Sequence, residues 1–142
     1  MKKVFIIHGH DSDLLNEVKS FVGSCGLEPV ILREQDDRSM TIIEKFEFYG
    51  SGCVFAVALL TPDDKQAEEL TEKARFRARQ NVIYELGWFC GRLGREKTVL
   101  IHKGRVEMPS DLLGVLYLAV ENSLFEVSGD LRRRFRGQSL LS

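Results

Sequence analysis

The sequence predicts one α/β domain with a short parallel sheet and helices on both faces of that sheet. Five apolar runs of four to eight residues recur along the chain, and continuous runs of this kind are typical of strands buried on both faces. Helical patterns separate the runs, as expected for a parallel sheet. The length of 142 residues fits a single domain, and we expect that domain to span residues 1–136.

The individual elements follow from these patterns in chain order. The expected strands are residues 4–7, 29–32, 53–60, 98–102 and 115–120. The expected helices follow the capping run Asp11-Ser12-Asp13, begin after Thr41, and cover residues 75–93 and about 128–135. Thr41 and Glu44 have the spacing of a capping box, so the second helix should begin directly after a charged surface loop over residues 33–40.

Composition and charge exclude several classes of partner. The net charge of -1 gives no general attraction to nucleic acid or to an anionic membrane. The three cysteines have no metal-binding spacing, so we expect no disulfide framework, no zinc site and a reducing cytoplasmic location. The longest apolar run, residues 53–60, is far shorter than the roughly 20 residues that span a bilayer. We therefore expect no membrane contact in this segment.

Glu85 is the best candidate for a catalytic residue. It is the only charged residue in the run Val82-Ile83-Tyr84-Glu85-Leu86-Gly87-Trp88-Phe89-Cys90. The residues three or four positions away on a helix are Asn81, Val82, Trp88 and Phe89. Desolvation on such a surface would raise the pKa of the carboxyl group and make it reactive. The alternative is a structural carboxylate paired with Arg79 or Arg92, and the spacing leaves both possibilities open.

The turn after the first strand is a second candidate. Gly9 permits close approach of a ligand to the backbone, and the following helix N-terminus favours an anion, so Gly9 and His10 are candidates for binding a nucleotide phosphate. The alternative is a plain strand-to-helix turn with capping residues. His8 and His10 could also face one metal ion, but His102 is the only further histidine, so we expect no metal site.

Polar residues after other strands belong to the same edge of the sheet, because the carboxyl ends of parallel strands meet there. Arg33 could hold a phosphate, or it could belong to a solvated loop. Asp63 and Asp64 could bind a ribose hydroxyl or a divalent cation, although a turn after a strand favours aspartate in any case.

Six segments in order resemble the TIR-like domains of bacterial antiphage systems. They are FIIHGHD at 5–11, GLEPVIL at 26–32, TIIEKF at 41–46, VALLTPDD at 57–64, RARQNVIYELG at 77–87 and PSDL at 109–112. The resemblance runs from about residue 3 to residue 120. Such domains occur fused to bacterial STING or as effectors of cyclic-nucleotide signalling. A cyclic-nucleotide sensor domain, fused or associated, is therefore an implied partner, and residues 137–142 have the character of a linker to it.

The resemblance implies a flavodoxin-like domain that hydrolyses NAD+ as its substrate and needs no cofactor. The family's catalytic glutamate lies on the third crossover helix, where Glu85 matches it. Residues 33–40 match the BB loop, which in the family gates the site and mediates self-association. The implied substrate-binding residues are Phe5, Gly9, His10, Arg33, Asp63, Tyr84 and Asp111. Two alternatives remain, namely a nucleoside deoxyribosyltransferase-like N-glycosidase and a non-catalytic TIR assembly or adaptor module.

Overall fold

Strands and helices alternate along the chain. The computed structural model describes residues 1–9, 12–61, 72–104 and 114–141. Its elements are β1 (Lys3–Ile7), α1 (Ser12–Ser24), β2 (Glu28–Ile31), α2 (Ile42–Gly50), β3 (Phe55–Leu60), α3 (Glu72–Leu93), β4 (Thr98–Lys103), β5 (Leu116–Val120) and α4 (Ser128–Gly137). Every predicted strand is confirmed, with bounds that move by two residues at most. Among the described helices, none is both long enough and apolar enough to cross a membrane.

The five strands form one parallel sheet in the order β2-β1-β3-β4-β5. The chain therefore begins in the middle of the sheet, moves outward to β2, and then crosses to the other side through β3. This is the flavodoxin-like order that the resemblance implied, and the expectation is confirmed. The order reverses between β1 and β3, and ligands of open α/β sheets bind beyond the carboxyl ends of the strands at such a point.

Alternate residues of the strands supply two separate cores. Val4 and Ile6 pack with α1 and α4 on one face, whereas Phe5 and Ile7 pack with α2 and α3 on the other. Phe46 of α2 is part of the second core. The strands are thus buried on both faces, which explains why their sequences are continuous apolar runs.

Strand β2 lies at one edge of the sheet and is short, with four residues. Glu28 donates its backbone N–H to the carbonyl of Lys2 at 2.9 Å, towards β1. Successive N–H groups of a strand point to opposite sides, so the position of Pro29 faces away from the sheet. Proline has no N–H, and the outer edge of β2 therefore lacks a donor at Pro29.

The capping box predicted at the start of α2 is confirmed. The Thr41 hydroxyl accepts the backbone N–H of Glu44 at 3.2 Å, and the Glu44 carboxylate accepts the backbone N–H of Thr41 at 3.0 Å. These two bonds fix the point where the loop over residues 35–41 enters the helix.

The described residues that follow α4, in the segment expected to be a linker, contact the rest of the domain. Helix α4 continues to Gly137, and the backbone N–H of Leu140 donates to the carbonyl of Phe135 at 2.9 Å. Leu140 and Leu141 are partly buried against the core on the α1 and α4 face. Apolar burial thus holds the described part of this segment, up to residue 141, on the domain.

Candidate active site

A cavity of about 260 Å³ opens at the carboxyl ends of β1 and β2, between α2 and α3. It adjoins the reversal in strand order. Its walls are formed by Phe5, Ile6, His8, Leu32, Arg33, Asp37, Ile42, Lys45 and Glu85. Three residues predicted from the sequence, Phe5, Arg33 and Glu85, therefore meet at one place although they are far apart in the chain.

Glu85 enters this cavity from α3, the helix of the third crossover. Val82, Leu86 and Phe89 form the buried stripe of the helix, and Glu85 lies at its margin. Burial raises the pKa of the Glu85 carboxyl group to about 7, from an ordinary value of 4.5. At neutral pH a substantial fraction of the group is therefore a desolvated carboxylate, which is a strong electrostatic partner for a developing positive charge.

Glu85 makes no ion pair within the described ranges. The guanidinium of Arg92 lies instead over the Trp88 ring, 5.4 Å from its centroid. The structural alternative of a Glu85–Arg92 pair is therefore wrong. The side chain of Arg79, the other proposed partner, lies outside the described residues.

Four aromatic rings connect the two helices behind the cavity. Phe5 contacts Phe46 and Phe89 with ring centroids 5.5 and 5.0 Å apart. Trp88 contacts Phe46 at 5.0 Å and Phe89 at 4.9 Å, both nearly edge to face. Such arrangements are the favourable ones for aromatic pairs. Phe5, one of the implied substrate-binding residues, is fully buried and forms part of the cavity wall.

The opposite wall carries an ion pair between the loop and α2. Lys45 Nζ lies 2.6 Å from Asp37 Oδ1. The Lys45 side chain is 11% exposed, whereas that of Asp37 is 79% exposed. The Tyr49 hydroxyl also donates to the Asp36 carbonyl at 2.7 Å, and Arg38 lies over the Phe48 ring. The loop over residues 35–41 is thus tied to α2 by several specific contacts.

The turn after β1 lies beside the same cavity. His8 Nδ1 is 2.9 Å from the Gly9 carbonyl, and because a carbonyl only accepts, Nδ1 carries the proton. Gly9 has open space where a side chain would begin, as expected if the backbone receives a ligand. Arg33 lies in the short 3-10 turn Leu32–Glu34 and is exposed at the cavity mouth.

The remaining predicted residues do not line this cavity in the described structure. Tyr84 is 55% exposed on α3 and points away from the core. His10, Asp63 and Asp111 lie outside the described residues. Among the described residues, no group of three or more His, Cys, Asp or Glu side chains is arranged to hold a metal ion.

Sequence reasoning missed Lys45 and Asp37. The signal for Lys45 was weak, because the run Ile42-Ile43-Glu44-Lys45-Phe46 contains two charged residues, whereas Glu85 is the only charge in its run. Asp37 gave no such signal, since its role depends on how the loop folds back onto the helix.

A larger cavity of about 560 Å³ lies on the opposite side of the sheet, between α1 and the segment that leads into α4. Its charged residues are already engaged, because Glu17 accepts the Ser123 hydroxyl at 2.5 Å and Arg132 lies over the Phe21 ring. It is also far from the reversal in strand order. The smaller cavity is the better candidate for chemistry, since it contains Glu85.

A family model described as the TIR domain of CAP12/Pycsar effector proteins matches residues 3–122. The chain belongs to this family. The resemblance inferred from the six sequence segments is thus confirmed, and the five-stranded parallel sheet agrees with it.

Relatives of this TIR domain occur in bacteria and in a eukaryote. YuaY of Escherichia coli (strain K12) is 52% identical over 120 residues, which are 84% of this chain and 40% of that protein. TirC of Dictyostelium discoideum is 31% identical over 139 residues, 91% of this chain and 69% of that protein. The Pycsar effector protein PaPycTIR of Pseudomonas aeruginosa is 40% identical over 79 residues, 54% of this chain and 25% of that protein.

Among solved structures, the SEFIR domain of IL-17 receptor B has the same fold, with a TM-score of 0.54 and 12% identity. The match covers 94% of this chain and 96% of that domain. At this identity the likeness concerns the fold alone. The TIR domain spans 40% of the length of YuaY, so the activity of a whole effector is a separate question.

Proposed function

We propose that this TIR domain is a NAD+ glycohydrolase that depletes NAD+ in a bacterial antiphage effector. The observation that carries the proposal is the position of Glu85. It is a carboxyl group with a pKa of about 7 in a cavity at the reversal point of a flavodoxin-like sheet. Such a group is suited to stabilise positive charge on a ribose.

The bond proposed to break joins nicotinamide to C1′ of its ribose. Nicotinamide in NAD+ is a cationic leaving group, so its departure needs no general acid. The ionised Glu85 stabilises the oxocarbenium-like ribose or attacks it, and water or an intramolecular nucleophile completes the reaction. The products are nicotinamide and either ADP-ribose or a cyclised form.

A single free carboxylate is consistent with this chemistry. Glycosidases that expel neutral leaving groups need one carboxyl group as an acid and a second as a nucleophile or base. Within the described part of the cavity wall, the other carboxylate is Asp37, which is paired with Lys45. This favours a substrate with an activated leaving group over an ordinary glycoside.

The proposed substrate-binding roles combine the family resemblance with the positions of those residues that the structure describes. We assign Gly9 and His10 to the phosphate and ribose side and Arg33 to the cavity mouth. Tyr84, Asp63 and Asp111 are assigned to the outer rim, and Phe5 to the apolar wall.

Self-association is proposed as the means of activation. Three apolar residues of α2, Ile42, Ile43 and Phe48, are 79%, 57% and 49% exposed. They lie beside the loop that borders the cavity, so a neighbouring domain placed there would contact the site. The relatives include Pycsar effectors and CD-NTase-associated proteins. We therefore propose that a cyclic-nucleotide sensor controls this assembly.

The deciding experiment is incubation of the protein with NAD+, with chromatographic detection of free nicotinamide. Nicotinamide release by the wild-type protein, and none by Glu85→Gln, supports the proposal. Transfer of deoxyribose between nucleobases, with NAD+ untouched, would identify the deoxyribosyltransferase-like alternative. Assembly without turnover of NAD+ at any protein concentration would identify an adaptor.

A further inference from the structure

Lys45 is a buried cation whose anion comes from an exposed loop. Its side chain is 11% exposed and its ammonium group contacts Asp37 at 2.6 Å. Removing the partner of a buried ammonium group is destabilising, so an anion at this position is favoured. The backbone that carries Lys45 is fixed by α2 and by the contact of Phe46 with Phe5 and Trp88.

Asp37 is an exchangeable partner. Its side chain is 79% exposed and projects from a loop, so returning its carboxylate to water requires little change in solvation. Lys45 has no such freedom. A second anion that enters the cavity can therefore replace Asp37 while the cation stays in place.

The charges of the cavity indicate which anion this is. Two basic side chains, Arg33 and Lys45, lie in its wall with Glu85 and the partly buried His8. NAD+ carries a positive nicotinamide at one end and a negative diphosphate on the other side of the nicotinamide ribose. Like charges repel in a low-dielectric cavity, so the nicotinamide is kept away from Lys45 and the diphosphate is drawn towards it.

The size of the cavity agrees with partial enclosure of the substrate. Ligand pockets commonly measure about 300–1,000 Å³, and this one measures about 260 Å³. It therefore encloses one portion of a dinucleotide rather than the whole molecule. A site bounded by Glu85 on α3 and Lys45 on α2 fits the ribose and the adjoining phosphate.

We propose that Lys45 binds the diphosphate of the nucleotide substrate, and that the Asp37 carboxylate holds the same position until the diphosphate displaces it. This inference rests on the proposed function, because it names the group that recognises the substrate at the Glu85 site. Lys45 selects nucleotides that carry a diphosphate, and Asp37 acts as an internal competitor.

The test is equilibrium binding of ADP-ribose by calorimetry, at high protein concentration, to the wild-type protein and to four variants. Lys45→Met should weaken binding about tenfold or more, because a charged hydrogen-bond donor to the phosphate is lost. Asp37→Asn should tighten binding about fivefold, because the competing carboxylate is removed. Asp36→Asn, which alters a neighbouring carboxylate of the same loop, should leave the affinity within twofold (about the scatter expected of a surface charge). In the double variant Lys45→Met/Asp37→Asn, the second substitution should have no further effect.

Nicotinamide riboside, which lacks the diphosphate, is the matched probe. Its affinity should be the same for wild type and Lys45→Met if Lys45 contacts the diphosphate. Equal weakening of both ligands, or unchanged or weaker ADP-ribose binding to Asp37→Asn, would overturn the inference. So would failure of both wild type and Asp37→Asn to bind ADP-ribose. Should Lys45→Met fail to fold, as judged by circular dichroism, Asp37→Asn and its Asp36→Asn control still decide the outcome.

The outcomes separate this inference from the proposed function, because binding is measured without turnover. The expected binding pattern without nicotinamide release would leave Lys45 as a diphosphate site and refute the hydrolase. Suppose instead that nicotinamide release depends on Glu85, but substitution of Lys45 or Asp37 leaves the affinity for ADP-ribose unchanged. That result would support the hydrolase and refute the inference.

Discussion

Trp88 packs against Phe46 with ring centroids 5.0 Å apart, and this contact joins the helix that carries Glu85 to the helix that carries Lys45. Gly50, at the end of α2, allows this close approach. A Cβ atom at Gly50 would lie 3.0 Å from Phe89 Cζ and 3.1 Å from Trp88 Cζ3. The spacing of the two helices, and with it the width of the cavity, therefore depends on the absence of a side chain at this position.

We predict that Gly50→Ala lowers the free energy of unfolding by about 1–3 kcal/mol, because the methyl group overpacks the contact with Trp88 and Phe89. Gly91→Ala is the matched control. Gly91 lies within α3 and has nothing within 4 Å of the added Cβ, so the alanine should stabilise the helix by about 0.5–1 kcal/mol. Urea denaturation of both variants gives the comparison. Equal changes in the free energy of unfolding for the two variants would show that Gly50 is not tightly packed against Trp88 and Phe89.

We predict that Glu85→Gln abolishes NAD+ cleavage and leaves the fold intact. The amide keeps the shape of the side chain but cannot stabilise the positive ribose. Glu47→Gln, at an exposed position of α2, is the control and should keep full activity. Nicotinamide release and the circular dichroism spectrum are the two measurements. A folded Glu85→Gln protein with wild-type turnover would remove Glu85 from the mechanism.

We predict that the rate of NAD+ cleavage rises with pH and reaches half of its maximum near pH 7, where the Glu85 carboxyl group ionises. Below that point the rate should fall about tenfold per pH unit, because the protonated form is inactive. The profile of kcat/KM against pH reports this ionisation in the free protein. A midpoint near pH 4.5 would mean that the site is well solvated.

The same ionisation affects stability with a defined sign. The pKa of Glu85 is 4.5 in the unfolded chain and about 7 in the folded domain, so the folded state holds the proton more tightly between these values. Stability contributed by the protonated group is complete below about pH 4.5 and is lost as the pH rises through 7. Glu85→Gln should thus match wild type near pH 4 and exceed it by up to about 3 kcal/mol near pH 8. Urea denaturation at the two pH values tests the difference, and a constant difference would contradict it.

We predict that specific activity rises with protein concentration, because a neighbouring domain at the exposed face of α2 would complete the site beside the cavity. Ile43→Lys should flatten this dependence by placing a charge on the exposed face of α2. Charge reversal at Asp36 and Asp37 should also change it. Phe125→Lys is the control, since Phe125 is highly exposed on the opposite side of the sheet. Full activity of a monomer at nanomolar concentration would show that one chain contains the complete site.

We predict that EDTA leaves the cleavage rate unchanged. His8 donates Nδ1–H to the Gly9 carbonyl, and a closed site needs about four ligands. Activity lost in EDTA and restored by one divalent metal would contradict this expectation.

The sequence predicted the sheet well because each strand is buried on both faces. Continuous apolar runs such as residues 55–60 have no other stable location in a small domain, and the capping box at Thr41 marked the start of α2 by local chemistry alone. Glu85 could be singled out from the sequence because it is one carboxylate in an otherwise apolar stretch of helix.

The parts that escaped prediction depend on contacts between distant segments. The partner of Lys45 is set by the path of a loop whose charges look solvated in the sequence. The packing of Leu140 and Leu141 depends on space left on the core that α1 and α4 cover. Tyr84 was expected at the site, but a turn of about 100° per residue places it outside the wall that Glu85 joins.

The absence of a backbone N–H at Pro29 affects how copies of this domain can associate. An exposed edge strand is a template for pairing with another chain, and repeated pairing of that kind leads to cross-β fibrils. In β2 the outward donor at Pro29 is absent and the strand is four residues long, so growth by backbone pairing is blocked at this edge. At this edge, the self-association proposed above would therefore use side-chain contacts, which are more readily reversed than a paired sheet.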